Sequence, residues 1–577
     1  MDWMSAHVVV IGLFLFTIIG LIKLQSQPEK VFGLLLLALY SGNLVTNEQV
    51  VSSFANSGVL TLILLMVCSL ALEKTKLVRI VARYIIKPSY IASWFNLFIF
   101  SALSSSFLNN TAVVSTMLAP IRSNIHHSAS RLLLPLSYAA ILGGTLTLVG
   151  TSTNLIVNSM VIDAGLPPLA FFEFTIIGSL LVISCGITLF ICSRYLPHNE
   201  QASTTISDYF IDTKVIAGSP LIGRTIEANG LRNLESLFLS EIQRNKQLLS
   251  PVAPTEVIQE GDRLLFSGDI KKVTLLGQFK GLTSFANQNG LPLDNLSEVI
   301  IRPESVLVGQ TLKDVGFRAL FDAAVVAIKR DGEPISGKLG DVELKPGDFL
   351  ILAVSKDFKS RNNISKNFFM ISGVETVHTL SLWKEWFSII GFFFAIFLSA
   401  IGFFSLFKGL LIFLGGLLLL GVLKPNEILQ RLPIHIWLII SSALLLSHAL
   451  NNSNATLLLS SMVTSNIHIF TPFIGLCVVY IITWWLTELV TNNAAAALMV
   501  PIALSIATSL EKDPLAYIMV VAFAASASFI SPYGYQTNLM VFNAGQYKLS
   551  DFIKVGAPVS LVYGVVTISA TYFLYLS

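Results

Sequence analysis

Twelve stretches of this chain are apolar over nearly the length that a helix needs to cross a bilayer, roughly 20 residues. They fall at about 7–24, 31–46, 57–73, 89–108, 132–149, 169–193, 384–400, 403–423, 434–450, 470–490, 515–530 and 553–576. Residue usage agrees: 54% of the 577 residues are hydrophobic and 12% are charged, against about 25% charged in soluble domains. Most of the chain therefore meets lipid, and the expected fold is a polytopic α-helical membrane protein. The first run lacks a basic start and a small-residue cleavage site, which makes it a retained span and not a signal peptide. A formal charge of +3 is too small to point to nucleic acid. Cys68, Cys185, Cys192 and Cys477 lie in apolar runs without metal-ligand spacing and are expected to serve packing.

Between about 198 and 380 charges return and the apolar runs shorten, which marks a soluble insert. The expected domains are 1–197 (first membrane half), 198–290 and 291–380 (two insert units) and 381–577 (second membrane half). Lys and Arg collect on the cytoplasmic side of spans. Lys74, Lys76, Arg79, Arg83 and Lys87 therefore put residues 74–88 inside, as an amphipathic surface helix, and put the N-terminus outside. Arg122 and Arg131 again read as inside, so the chain from 89 to 121 enters and returns on one side. A re-entrant hairpin with its tip near Ser104–Val114 does this. A second is expected to enter from outside, with its tip near Thr487–Pro501. The insert is then cytoplasmic.

The strongest pattern is a duplication. Gly150-Thr-Ser-Thr-Asn154-Leu-Ile-Val matches Gly534-Tyr-Gln-Thr-Asn538-Leu-Met-Val, and Asn109–Pro120 resembles Thr491–Pro501. Asn110 precedes Asn154 by 44 residues and Asn492 precedes Asn538 by 46. With hairpins entering from opposite sides, this is an inverted repeat, the layout of many secondary transporters. Each half combines one hairpin tip with one helix broken at Gly-x-x-Thr-Asn. The breaks free backbone groups at membrane depth: half-helix N-termini suit an anion, and carbonyls with Asn, Ser and Thr oxygens suit a small hard cation. The competing explanation is small polar glue between helices. It accounts for one Ser or Thr, but less well for four duplicated clusters at matched spacing.

At these residues the chain resembles the divalent anion:sodium symporter family of dicarboxylate, citrate and sulfate carriers. That family carries Ser-Asn-Thr at each tip. The triplets here are Asn109-Asn110-Thr111 and Thr491-Asn492-Asn493, which keep the central Asn and depart around it. The resemblance implies sodium coupling, a homodimer and an elevator mechanism, and the expected location is the inner (plasma) membrane. It places one sodium site at Ser105, Asn110, Gly150 and Asn154, and its mirror at Thr487, Asn492, Gly534 and Asn538. The anion is expected between the tips, at Asn109, Asn110, Thr111, Asn492 and Asn493, with Thr153 and Thr537 close by. Sulfate is the first choice of substrate and a dicarboxylate of the succinate or citrate type the second.

Glu488 is the one acid of the second hairpin. It could carry a coupling proton or balance a cation, but the favoured reading is a carboxylate near the outer mouth or one bonded to hairpin backbone. His435 and His448 share a span without a ligand-spaced partner, so packing or hydrogen bonding is expected of them. The insert is itself a repeat: Ser219–Thr225 matches Ser305–Thr311, and Glu260–Asp269 matches Pro346–Ser355, both offset by 86. These small α/β units resemble the C-terminal domains of potassium-channel regulators (TrkA-C or RCK-C type), which pair and sometimes bind small nucleotides. No Gly-x-Gly-x-x-Gly fingerprint is present. Two other classes are weighed. A channel would need a filter such as Thr-Val-Gly-Tyr-Gly, which is absent. A membrane enzyme would need a nucleophile, base and acid set or a metal cluster, which Glu488 and two scattered histidines do not supply.

Overall fold

Helices make both ends of the chain and strands make its middle. The structure is a computed structural model. It describes the chain apart from residues 1–2, 25–26, 76–84, 123, 125, 199–208, 232–233, 235–236, 245–246, 250–251, 269–275, 277, 285–295, 304, 331–332, 336–338, 355–357, 359–362, 371–379 and 466–469. The amphipathic helix expected over 74–88 falls largely on 76–84, outside the described residues. The chain divides into a helical unit (Met1–Pro197, His378–Val541, Lys548–Ser577) and a second unit (His198–Val377, with Phe542–Tyr547).

Eight helices of the described residues are long and apolar enough to cross a membrane: Ala6–Lys23, Asn47–Glu73, Thr175–Tyr195, Leu382–Ala400, Ile434–Asn452, Pro472–Leu489, Asn492–Ser509 and Leu549–Tyr575. Thr175–Cys192 exposes an apolar stripe of Ile176, Leu180, Ile183, Ile187 and Ile191, while Leu181, Cys185 and Leu189 are buried behind it. An exposed apolar stripe on a packed helix is a lipid-facing surface. Five of the twelve expected runs form shorter helices: Pro28–Ser41, Tyr90–Ser105, Ser130–Gly144, Leu406–Leu419 and Pro514–Ala525. Local chemistry ends two of them. Asn43 (φ 53°) and Gly421 (φ 62°) adopt left-handed turns just past Ser41 and Leu419. Asn47–Phe54 was not expected as a helix. Thr46 and Gln49 cap it reciprocally, and Asn56 then restarts the chain by accepting from the Gly58 and Val59 amides.

Eight helices carry the duplicated motifs. In the first half α1 (Tyr90–Ser105) and α2 (Asn110–Arg122) form a helical hairpin, and α3 (Ser130–Gly144) and α4 (Ser152–Asp163) form one interrupted helix. In the second half α5 (Pro472–Leu489) and α6 (Asn492–Ser509) form the hairpin, and α7 (Pro514–Ala525) and α8 (Gln536–Gly545) the interrupted helix. Each hairpin packs on the leading half of its own interrupted helix, α1 and α2 on α3, and α5 and α6 on α7; α4 packs against α6 and α7. Thr491 opens α6 by accepting from the Ala494 amide, and Asp513 with Pro514 opens α7.

The second unit holds two antiparallel five-stranded sheets. The strands are β1 (Tyr209–Val215), β2 (Leu237–Arg244), β3 (Gln247–Leu249), β4 (Arg263–Gly268), β5 (Leu282–Ser284), β6 (Leu296–Ile301), β7 (Ala323–Arg330), β8 (Glu333–Pro334), β9 (Phe349–Val354) and β10 (Phe368–Met370). The orders β3-β2-β4-β1-β5 and β10-β6-β9-β7-β8 are the same order read in opposite directions. The offset of 86 is kept atom by atom. Arg244 grips Asp262 with two bonds of 2.8 Å, and Arg330 grips Asp348 with bonds of 2.7 and 2.8 Å. Each Asp also accepts from the amide three residues before it, Gln259 or Lys345, and so closes its own Gly-Asp turn. The Asp262 hydrogen bonds, joined by Glu256, raise the pKa of Arg244. Both carboxylates are buried. We expect Asp348→Ala to strand Arg330 and the turn, destabilising the second sheet by about 3–5 kcal/mol. Hydrogen exchange on the full chain should then lose protection at β7 and β9 while β1 and β4 keep theirs.

Candidate functional site

Interrupting a helix in an apolar interior leaves amides and carbonyls that must find partners. Here side chains supply most of them. In the first break, residues 145–151, Asn154 Nδ2 donates to the Thr147 carbonyl (2.9 Å), Thr175 Oγ1 to the Leu146 carbonyl (2.8 Å), and the Leu148 amide to the Phe171 carbonyl (3.1 Å). Thr147 Oγ1 donates in turn to the Ser106 carbonyl at the first tip (2.5 Å). In the second break, residues 526–535, Asn538 Nδ2 donates to the Ser528 carbonyl (2.8 Å). Glu488 accepts from the Phe529, Ile530 and Ser531 amides at 3.1, 3.0 and 2.9 Å, and Tyr138 donates its hydroxyl to the Phe529 carbonyl. Glu488 thus has a structural role, but it holds the neighbouring break and not its own hairpin.

Two oxygen clusters lie at the tips. Ser105 Oγ donates to Asn110 Oδ1 at 2.5 Å. Gly144 backs onto that amide so closely that a Cβ there would stand 2.8 Å from Oδ1, and Gly150 backs onto Gly144. In the other half Thr487 Oγ1 lies 3.0 Å from Asn492 Oδ1 and 2.6 Å from the Ala525 carbonyl. A Cβ on Gly534 would come 3.1 Å from the Thr487 carbonyl and would collide with the Ser528 side chain. The residues expected at each cation position therefore converge: Ser105, Asn110 and Gly150 through Gly144, with Asn154 holding the same break; and Thr487, Asn492 and Gly534, with Asn538 reaching it through Ser528. Ser105, Asn110, Asn154, Thr487, Asn492 and Asn538 are all buried. Hydroxyl, amide and carbonyl oxygens form a donor set for a small hard cation.

The tips are also cross-linked between halves. Thr111 Oγ1 of the first tip donates to Gln536 Oε1 at the start of α8 (3.2 Å), and Ser152 Oγ at the start of α4 donates to Asn493 Oδ1 of the second tip (3.0 Å). Aligning Asn110 with Asn492 and Gly150 with Gly534 turns one contact into the other. Asn110 Nδ2 further donates to the Tyr535 hydroxyl (2.7 Å), which stands 3.4 Å from Thr151 Oγ1.

Of the residues expected at the anion, Asn109 is exposed and Thr111 and Asn493 are half-buried. Thr153 and Thr537 lie in the packed interior, and Thr537 accepts from Ser137 on α3 (2.9 Å), a link between helices. His448 Nε2 on Ile434–Asn452 stands 3.3 Å from Asp163 Oδ2 at the end of α4. Sequence reasoning missed Tyr535, Gln536 and Ser152, which occupy the unspecified positions inside the Gly-x-x-Thr-Asn motif, and Ser137 and Tyr138, two polar residues inside an apolar run.

Spans that enclose interrupted helices and paired polar tips define a polytopic membrane transporter. The chain belongs to the citrate transporter family (CitMHS), whose profile matches residues 13–522 and 489–577. The family is one of transporters, not enzymes. The chain is similar to an uncharacterized transporter of Synechocystis, 30% identical over 91% of this chain and 90% of that protein. It is similar also to a putative sulfur deprivation response regulator of Chlamydomonas reinhardtii, 31% identical over 90% of this chain and 93% of that protein. Sodium/sulfate cotransporter 2 of the same alga is 28% identical over 61% of this chain and 41% of its own length.

Proposed function

We propose that the chain is a sodium-coupled symporter of a small divalent oxyanion, sulfate first. The observation that carries this is the pair of matched oxygen clusters, Ser105 with Asn110 and Thr487 with Asn492, each beside a helix break and cross-linked to the other half. Cations held there would offset the charge of an anion seated between amide-rich tips, where the named residues include no Lys or Arg. The sodium/sulfate cotransporter relative supports sulfate. The citrate transporter family profile favours the second reading, a sodium-coupled dicarboxylate symporter. In this proposal both hairpins are re-entrant and the halves are inverted, with the N-terminus outside and residues 198–380 cytoplasmic. The protein works as a homodimer in the inner membrane, with contacts that include the cytoplasmic units, by elevator-type alternating access.

Purified protein in proteoliposomes should accumulate radiolabelled sulfate down an inward sodium gradient, and should stop when potassium replaces sodium. Equal uptake in both salts would refute the coupling. Succinate or citrate accumulated in place of sulfate would select the second reading.

A further inference from the structure

The two halves match in sequence but not in how their tip amides are used. Asn110 Nδ2 donates to the Tyr535 hydroxyl at 2.7 Å. Its counterpart Asn492 Nδ2 is buried, in a residue 6% exposed, and has no hydrogen-bond partner among the described residues. The cause lies in one motif position. Tyr535 follows Gly534 where Thr151 follows Gly150. The phenol of Tyr535 crosses to the opposite tip. The shorter Thr151 side chain stands 3.4 Å from the Tyr535 hydroxyl instead. A buried N–H without an acceptor is costly to leave unmade, and an anion oxygen is the acceptor it lacks.

We propose that Tyr535 is a specificity-determining residue: its phenol takes the anion seat beside Asn110 and leaves one seat, at Asn492. This rests on the anion-transport reading above. A dicarboxylate carries its two charges on separate heads and asks for donors at both tips. Here one tip amide is already engaged by the phenol of Tyr535. A tetrahedral oxyanion carries both charges on one head and needs one seat. Tip-to-tip continuity runs through Asn110, Tyr535 and Thr151, then through Ser152 to Asn493. Tyr535 thus stands on the path from the Asn110 amide to the second tip. A site built to hydrogen-bond one shape rejects another strongly when its polar groups are left unpaired.

The test uses the full chain in proteoliposomes, with sodium-driven uptake of radiolabelled sulfate competed by unlabelled sulfate or succinate. Wild type should need far more succinate than sulfate for half-inhibition. Tyr535→Thr, which copies the other half, should lower that ratio about tenfold or more, and Tyr535→Phe, which frees only the Asn110 amide, by about threefold. An unchanged ratio in Tyr535→Thr overturns the proposal, as does a wild type that prefers succinate. A monodisperse Tyr535→Thr protein that carries neither anion also overturns it, because the hydroxyl then serves transport itself. Should the threonine variant not fold, an unchanged ratio in Tyr535→Phe decides against the proposal. Wild type that takes up neither anion sinks the transport reading, whatever the variants do.

Discussion

Asn110→Ala and Asn492→Ala are each expected to bring sodium-driven anion uptake to background in protein that stays monodisperse. Each side chain offers a buried oxygen to the cluster at its tip; beside it the Asn492 amide has no partner among the described residues, and the Asn110 amide holds the Tyr535 hydroxyl. Alanine removes both at once. Contacts to charged groups are worth about 1.5–3 kcal/mol each, so loss of the cation contact amounts to roughly one to two orders of magnitude, and at Asn492 the anion contact adds about as much again. The variants should differ in stability. Asn110→Ala also strips Ser105 Oγ of its acceptor and the Tyr535 hydroxyl of its donor, whereas after Asn492→Ala Thr487 keeps the Ala525 carbonyl. Thermal unfolding in detergent should therefore be lowered more by Asn110→Ala, although Asn492→Ala is as inactive. Sodium should raise the melting temperature of wild type and of neither variant equally. Sodium-driven uptake retained by both variants would remove these residues from the site.

What the sequence made legible follows from what it repeats. Gly150 and Gly534, Asn154 and Asn538, and Asn110 and Asn492 are each marked twice, at like spacing, in runs where a polar residue is costly, so their gathering was readable before any fold. The partners that stitch the breaks are not repeated. Ser137 bonds Thr537, and Tyr138 bonds the Phe529 carbonyl, across separations of 400 and 391 residues. A lone hydroxyl in an apolar run announces that it has a partner, not which one. Helix lengths were misjudged for a related reason. Hydropathy continues through Leu406–Leu419 and past it, and the stop depends on the left-handed turn at Gly421. The eighth span-length helix, Asn492–Ser509, lay hidden because it begins at the polar tip of a hairpin. Tyr535 had a signal that went unused: it is the bulky residue at a motif position where the other half has Thr151.

Glu488→Ala should be the most damaging single change away from the tips' own amides. Segment 528–531 hangs from three other elements: α8 through Asn538, α3 through Tyr138 and the second hairpin through Glu488. The carboxylate alone satisfies three consecutive amides. Removing it strands all three, a loss of about 3–5 kcal/mol by analogy with breaking a buried charge-assisted pair. That is a large part of a stability of about 5–15 kcal/mol, so a lower melting temperature and poor yield are expected along with lost uptake. Glu488→Gln divides the effect. Its remaining oxygen can serve the Phe529 and Ile530 amides, but its NH2 then faces the Ser531 amide, donor against donor. Stability and uptake should fall together, to an intermediate degree, and the pH profile of the residual uptake should keep its wild-type shape. A residue that ferries a coupling proton behaves otherwise: its amide variant would melt like wild type and lose the pH dependence. That second pattern would move Glu488 from the scaffold of the break into the transport cycle.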